Sequence, residues 1–159
     1  MRSLLPLAAA LAALAGPGAA QRETAGEWTR RRDALATDTD AWFEAELERL
    51  EACLEFDGEQ ARAGAAELAR VTGERGEAVV QVVAEELLAL AVATAQGPAR
   101  AERAATELPP GTAPALRAHF HLARARRLWL ADHPTEVLAD TLASLAAAVE
   151  SGAVAPFLR

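Results

Sequence analysis

Three breaks cut this chain into helical pieces, and they constrain its fold more than any other feature. They are Asp57-Gly58, Gly97-Pro98 and Asp132-His133-Pro134. Glycine ends a helix because it tolerates backbone angles that other residues avoid. Proline ends one because it lacks the N–H that the helix ladder needs. Between the breaks, apolar residues recur with a helical period. Phe43, Leu47, Leu50 and Leu54 fall on one helix face, starting from a cap at Asp38 or Asp40. A second helix is expected over about 59–71, with Ala61, Ala65, Leu68 and Ala69 as its apolar positions and Thr72-Gly73 as its stop. A long run over 77–95 follows, then a short helix over 98–108 that ends at Pro109-Pro110-Gly111. Pro114 and Pro134 open helices over 114–131 and 134–150, proline being well placed at a first helical position. Leu138, Leu142, Leu145 and Val149 form the apolar face of the last helix, and Ser151-Gly152 closes it.

Composition agrees with an all-α fold. Apolar residues make up 52% of the chain but aromatics only 4%, so alanine and leucine carry the core. Alanine is the best helix former, and Ile and Tyr, which favour strands, are absent. Lys and Asn are absent too. These four residues share AT-rich codons, so their joint absence points to a GC-rich genome, and the use of Arg throughout carries little functional weight. At 159 residues the chain is long enough for one domain with a real core.

The first twenty residues have the parts of a secretory signal peptide: Arg2, an apolar stretch from Leu4 to Leu14, the Gly16-Pro17-Gly18 break and small residues up to Ala20. Cleavage after Ala20 is expected, giving an exported protein, periplasmic or extracellular. The run 78–95 is long enough to span a membrane, but Gln81, Glu85 and Glu86 lie within it. Acids in hydrocarbon are costly, whereas a helix apolar on most sides suits the centre of a soluble bundle. No membrane span is therefore expected after cleavage. The expected organisation is a signal peptide at 1–20, a lead-in with a short helix or a frayed segment at 21–39, a helical domain at 40–152 and a tail at 153–159.

The segments after the three breaks align with one another at near the period of two-helix repeats, which suggests three stacked antiparallel hairpins. Ala61, Ala65, Ala101, Ala105, Ala139 and Ala143 sit where such hairpins pack closely, and Pro110 sits where a repeat often ends. On these positions the chain resembles tetratricopeptide-like helical repeat proteins over roughly residues 41–151. The Trp-Leu-Gly and Tyr positions of that family's first helix are missing, and the spacings drift. An irregular five- to six-helix bundle is the alternative.

Motifs for chemistry are scarce. Glu44, Glu48, Glu51 and Glu55 lie along one helix rather than converging from several, and no Glu-x-x-His pair accompanies them, so they read as a solvated face. His119 and His121 point about 200° apart on a helix and cannot share one ion unaided. No metal or cofactor site is expected. Cys53, the single cysteine, reads as a buried thiol beside the packing stripe. Phosphate loops, nucleophile elbows and haem motifs are absent, which leans away from an enzyme. The helix 114–131 is basic, and Arg117, His121, Arg124 and Arg127 form its candidate binding face. A net charge of −7 weighs against nucleic acid.

Two functions follow as expectations. The resemblance implies a protein-interaction or scaffold module of the bacterial cell envelope. It would bind another envelope or secreted protein, through a protein segment or acidic peptide, at Arg117, His121, Arg124 and Arg127. The alternative is a small-ligand-binding or enzymatic domain with an internal pocket near Cys53, His119 and His121.

Overall fold

A computed structural model describes residues 18–36, 39–97 and 107–152. The expected signal peptide up to residue 17, residues 98–106 of the helix expected over 98–108 and the tail 153–159 lie outside the described residues, and Glu107 and Leu108 are not helical. The described residues form six helices: α1 Gly18–Asp33, α2 Asp40–Cys53, α3 Gly58–Arg75, α4 Ala78–Gln96, α5 Pro114–Leu130 and α6 Pro134–Ser151. No strand occurs among the described residues. The fold is all-α, and the helices pack in adjacent pairs as hairpins: α1 with α2, α3 with α4, and α5 with α6. The hairpin corners differ from those expected. The sequence breaks suggested a pairing of α2 with α3, but that contact is thin, and α3 turns tightly onto α4 instead.

Local chemistry explains the corners. Thr39, rather than Asp38 or Asp40, caps α2, its hydroxyl accepting the Trp42 N–H at 3.2 Å. Asp57 caps α3 by accepting the Gln60 N–H at 3.0 Å. The expected stop at Thr72-Gly73 is overrun to Arg75. Thr72 is buried and its hydroxyl donates back to the Leu68 carbonyl at 2.7 Å, so it stays helical. The turn comes at Gly76, with φ +75°, where the Glu77 N–H reaches back to the Thr72 carbonyl at 2.9 Å.

The core joins the first five helices. Phe43, Leu47 and Leu50 of α2 and Leu54 at its C-terminal cap are buried as their spacing predicts, beside Ala61, Ala65 and Leu68 of α3, Val83, Leu87 and Leu90 of α4, and Phe120 of α5. Gly64 lets α3 approach α2 closely. A Cβ there would lie 2.4 Å from Leu50 Cδ2, and Leu50 is itself fully buried.

α4 is long and apolar enough to cross a membrane, with a mean hydropathy of 1.8. Glu86 lies within it, fully buried, with a carboxylate oxygen 2.5 Å from Arg127 Nε of α5. A charge desolvated this completely needs a partner of opposite sign, and α5 supplies it.

α6 departs most from expectation. Leu138, Leu142, Leu145 and Val149 are not its packing face; they are 46%, 57%, 50% and 59% exposed. Val137, Asp140, Ser144, Ala147 and Ala148 face inward instead. The reason lies in the partner helix. α5 offers a histidine and arginines along this contact, and the Ala118 carbonyl accepts the Ser144 hydroxyl at 3.0 Å. Asp140 and Ser144 can satisfy those groups, and Ala147 and Ala148 lie close to Ala118. Leucines turned inward would have left the polar groups of α5 unpaired.

Candidate functional site

α5 carries most of the residues that the sequence singles out, and its helical spacing sends them in three directions. Arg117, His121 and Arg124, at i, i+4 and i+7, face α6. Arg117 Nη2 lies 2.5 Å from Glu150 Oε2. His121 Nδ1 is 2.8 Å from Asp140 Oδ1, and Arg124 Nε is 3.2 Å from Asp140 Oδ2. Arg127 points into the core against Glu86, as does Phe120 against the apolar cluster. His119 and Arg126 face α2, where they meet Glu51 and Glu55.

The candidate binding face therefore divides. Arg117, His121 and Arg124 share one side but are engaged with acids of α6. Arg127 is 2% exposed and lies in the interior, so it takes no part in an exposed face. The helix is locally basic because its charges are matched by acids on α2, α4 and α6.

The acidic row of α2 is also not the solvated face its spacing suggested. Glu51 and Glu48 approach the buried His119, Glu51 at 2.9 Å from Nδ1 and Glu48 at 3.7 Å from Nε2. Burial alone would lower the histidine's affinity for a proton. Glu51, Glu48 and Glu44 outweigh it and push the His119 pKa up to about 9. Glu48 is pushed up to about 7, by burial first and then by Glu51, with His119 and Arg31 opposing. The cluster thus favours a charged imidazolium against Glu51 and ties α2 to α5. No group of three or more His, Cys, Asp or Glu side chains arranged to hold a metal occurs among the described residues.

The groups of the pocket reading lie apart. His119 faces α2, and His121 faces α6. Cys53 borders a separate open cleft of about 560 Å³ between α1, α2 and α3, with Thr29, Arg32, Arg49 and Gln60. There Glu46 receives Arg49 through two hydrogen bonds, at 2.9 and 2.6 Å, and Arg32 through a third at 2.8 Å. The Cys53 thiol donates to Gln60 Oε1 at 3.2 Å, and burial pushes its pKa up. A nucleophilic cysteine needs the opposite shift.

Two features escape sequence reasoning. The first is the Glu86–Arg127 pair, which joins residues 41 positions apart and leaves no local trace. The second is the open face of α6. It follows from the contrast between its uncharged leucine stripe and the polar Asp140 and Ser144 on its other side, but only when the polar side of α5 is considered with it. No family model, no curated protein and no solved structure matches this chain.

Proposed function

We propose that this chain is a protein-interaction module, that it acts after export in a bacterial cell envelope, and that it docks its partner through the outer face of α6. The finer reading, that its hairpins form a tetratricopeptide-like array, belongs to the same proposal, since such arrays present helix faces to partners. The observation that carries it is the stripe Leu138, Leu142, Leu145 and Val149, four large apolar side chains each about half exposed on one side of one helix. Scattered apolar residues are ordinary on a surface, whereas a contiguous row on one helix supports reading that face as a contact surface.

The internal pairing of Arg117, His121 and Arg124 moves the favoured partner away from an acidic peptide. An apolar helix face suits an amphipathic helix. Cross-linking in the native envelope, using the tagged full chain, tests the choice. Leu142→Glu with Leu145→Glu is expected to abolish the cross-linked product, while Arg124→Ala leaves it. Retention by the first variant and loss in the second would return the reading to the basic face. Arg127 is unsuitable for such a test, because its loss strands the buried Glu86.

A further inference from the structure

We infer that the occupant of the α6 face is a second copy of this chain, packed α6 against α6 in antiparallel fashion about a two-fold axis. The inference rests on the reading of that face as a docking surface and names its partner. The first ground is spacing. Leu138, Leu142, Leu145 and Val149 are separated by four, three and four residues, and that pattern reads the same in both directions. A two-fold axis passing between Ala143 and Ser144 sets Leu142 against Leu145 of the second copy and Leu138 against Val149. A self-complementary patch is what a closed two-fold interface requires. The same spacing is the seam of a coiled coil, with leucine at one core position and leucine or β-branched valine at the other.

Charge is the second ground. The chain carries −7 overall, which ordinarily opposes association of identical copies. The seam escapes this penalty. Its flanking residues are Thr135, Ala139, Thr141 and Ala146, all uncharged. The charged residues of α6, Glu136, Asp140 and Glu150, lie about 80° or more around the helix from every residue of the stripe, at 100° per residue. Two copies therefore meet along the seam without bringing like charges face to face, and no ring of flanking charges selects a different partner. Ala139 and Ala146 also allow the helices to approach closely.

Area sets the expected strength. Four half-exposed side chains present roughly 400 Å² per copy, and the small flanking residues raise the total for two copies to about 1,000 Å², the low end for a specific interface. The association should be micromolar, a reversible dimer rather than an obligate one.

The test is sedimentation of the full chain from low micromolar to near-millimolar concentration, alongside Leu142→Glu with Leu145→Glu. The wild type is expected to move from monomer to dimer mass, and the variant to associate at least about tenfold more weakly. Both chains carry the same N-terminus, so association through the apolar leader would persist in the variant and would overturn the inference. Separate Leu142→Cys and Leu145→Cys chains fix the geometry. Mixed under oxidising conditions they should cross-link, and neither should cross-link with itself. Self-linking of Leu142→Cys in place of the mixed product would mean a parallel pairing and would refute the antiparallel one. A wild type that dimerises only when truncated after Gly152 has its stripe covered by its own tail, which also overturns the inference. If the wild type stays monomeric while the envelope cross-link is still lost in the Glu variant, the docking surface stands and the second copy falls. If neither changes, both readings fall.

Discussion

Raising the pH from 7 to 9 should loosen the contact between α2 and α5. His119 is buried there between Glu51 and Glu48, and its pKa rises from an ordinary 6.5 to about 9. A histidine that holds its proton more tightly folded than unfolded contributes fully below pH 6.5. It loses that contribution as the pH rises through 9. Each tenfold change in proton affinity corresponds to about 1.4 kcal/mol, so the rise from 6.5 to about 9 amounts to about 3 kcal/mol in all. Glu48 acts with the same sign at lower pH. Its contribution is complete below 4.5 and gone above about 7. The Cys53 thiol is raised above its ordinary 9.0 by burial, so it adds a loss of the same sign only as the pH nears 9. Between pH 7 and 9 His119 supplies the largest part of the slope, up to about 1.4 kcal/mol per pH unit, with Glu48 adding to it near pH 7 and Cys53 near pH 9. Urea unfolding across that range measures it. His119→Gln, which keeps an amide donor for Glu51, should be less stable at pH 7 and clearly flatter than the wild type to pH 9, so that the two curves converge. A flat wild-type curve, or the same slope in His119→Gln, would refute the charged imidazolium and with it the electrostatic joining of the two helices.

Three further predictions use the same unfolding assay. Gly64→Ala should cost about 1–3 kcal/mol, because its Cβ would collide with the buried Leu50; an unchanged midpoint would mean that α3 does not approach α2 so closely. Arg127→Met should cost about 3–5 kcal/mol by leaving the Glu86 carboxylate buried alone, and adding Glu86→Leu should restore most of it; additive losses would show that the two do not act as a pair. Leu142→Ala should change stability by less than about 1 kcal/mol, whereas Leu47→Ala should cost about 2–5 kcal/mol; comparable losses would place Leu142 in the core after all.

The fold class was legible in the sequence because helices are decided locally. Alanine and leucine at helical spacing, Pro114 and Pro134 at helix starts and Gly152 at a helix end act through the backbone of a few neighbouring residues. The stripe of α2 was legible for a related reason: an apolar row on a central helix has only one place to go, and Phe43, Leu47, Leu50 and Leu54 are buried. Thr72 shows the limit of local signals: Gly73 after it suggested a stop, yet the Thr72 hydroxyl is satisfied inside the helix.

Only the tertiary structure decided what each polar residue meets. His119 and His121 are two positions apart, but one is held by Glu51 of α2 and the other by Asp140 of α6. Arg124 and Arg127 read as one basic patch, but one lies against Asp140 and the other is sealed against Glu86. The orientation of α6 was decided in the same way. Its sequence offered two faces, one leucine-rich and one with Asp140 and Ser144, and helical periodicity alone favours burying the leucines. α5 presents histidine, arginine and a backbone carbonyl along the contact, and Asp140 and Ser144 pair with those groups where leucines could not. Periodicity fixed which residues share a face, and the hydrogen-bonding needs of the neighbouring helix fixed which face turned inward.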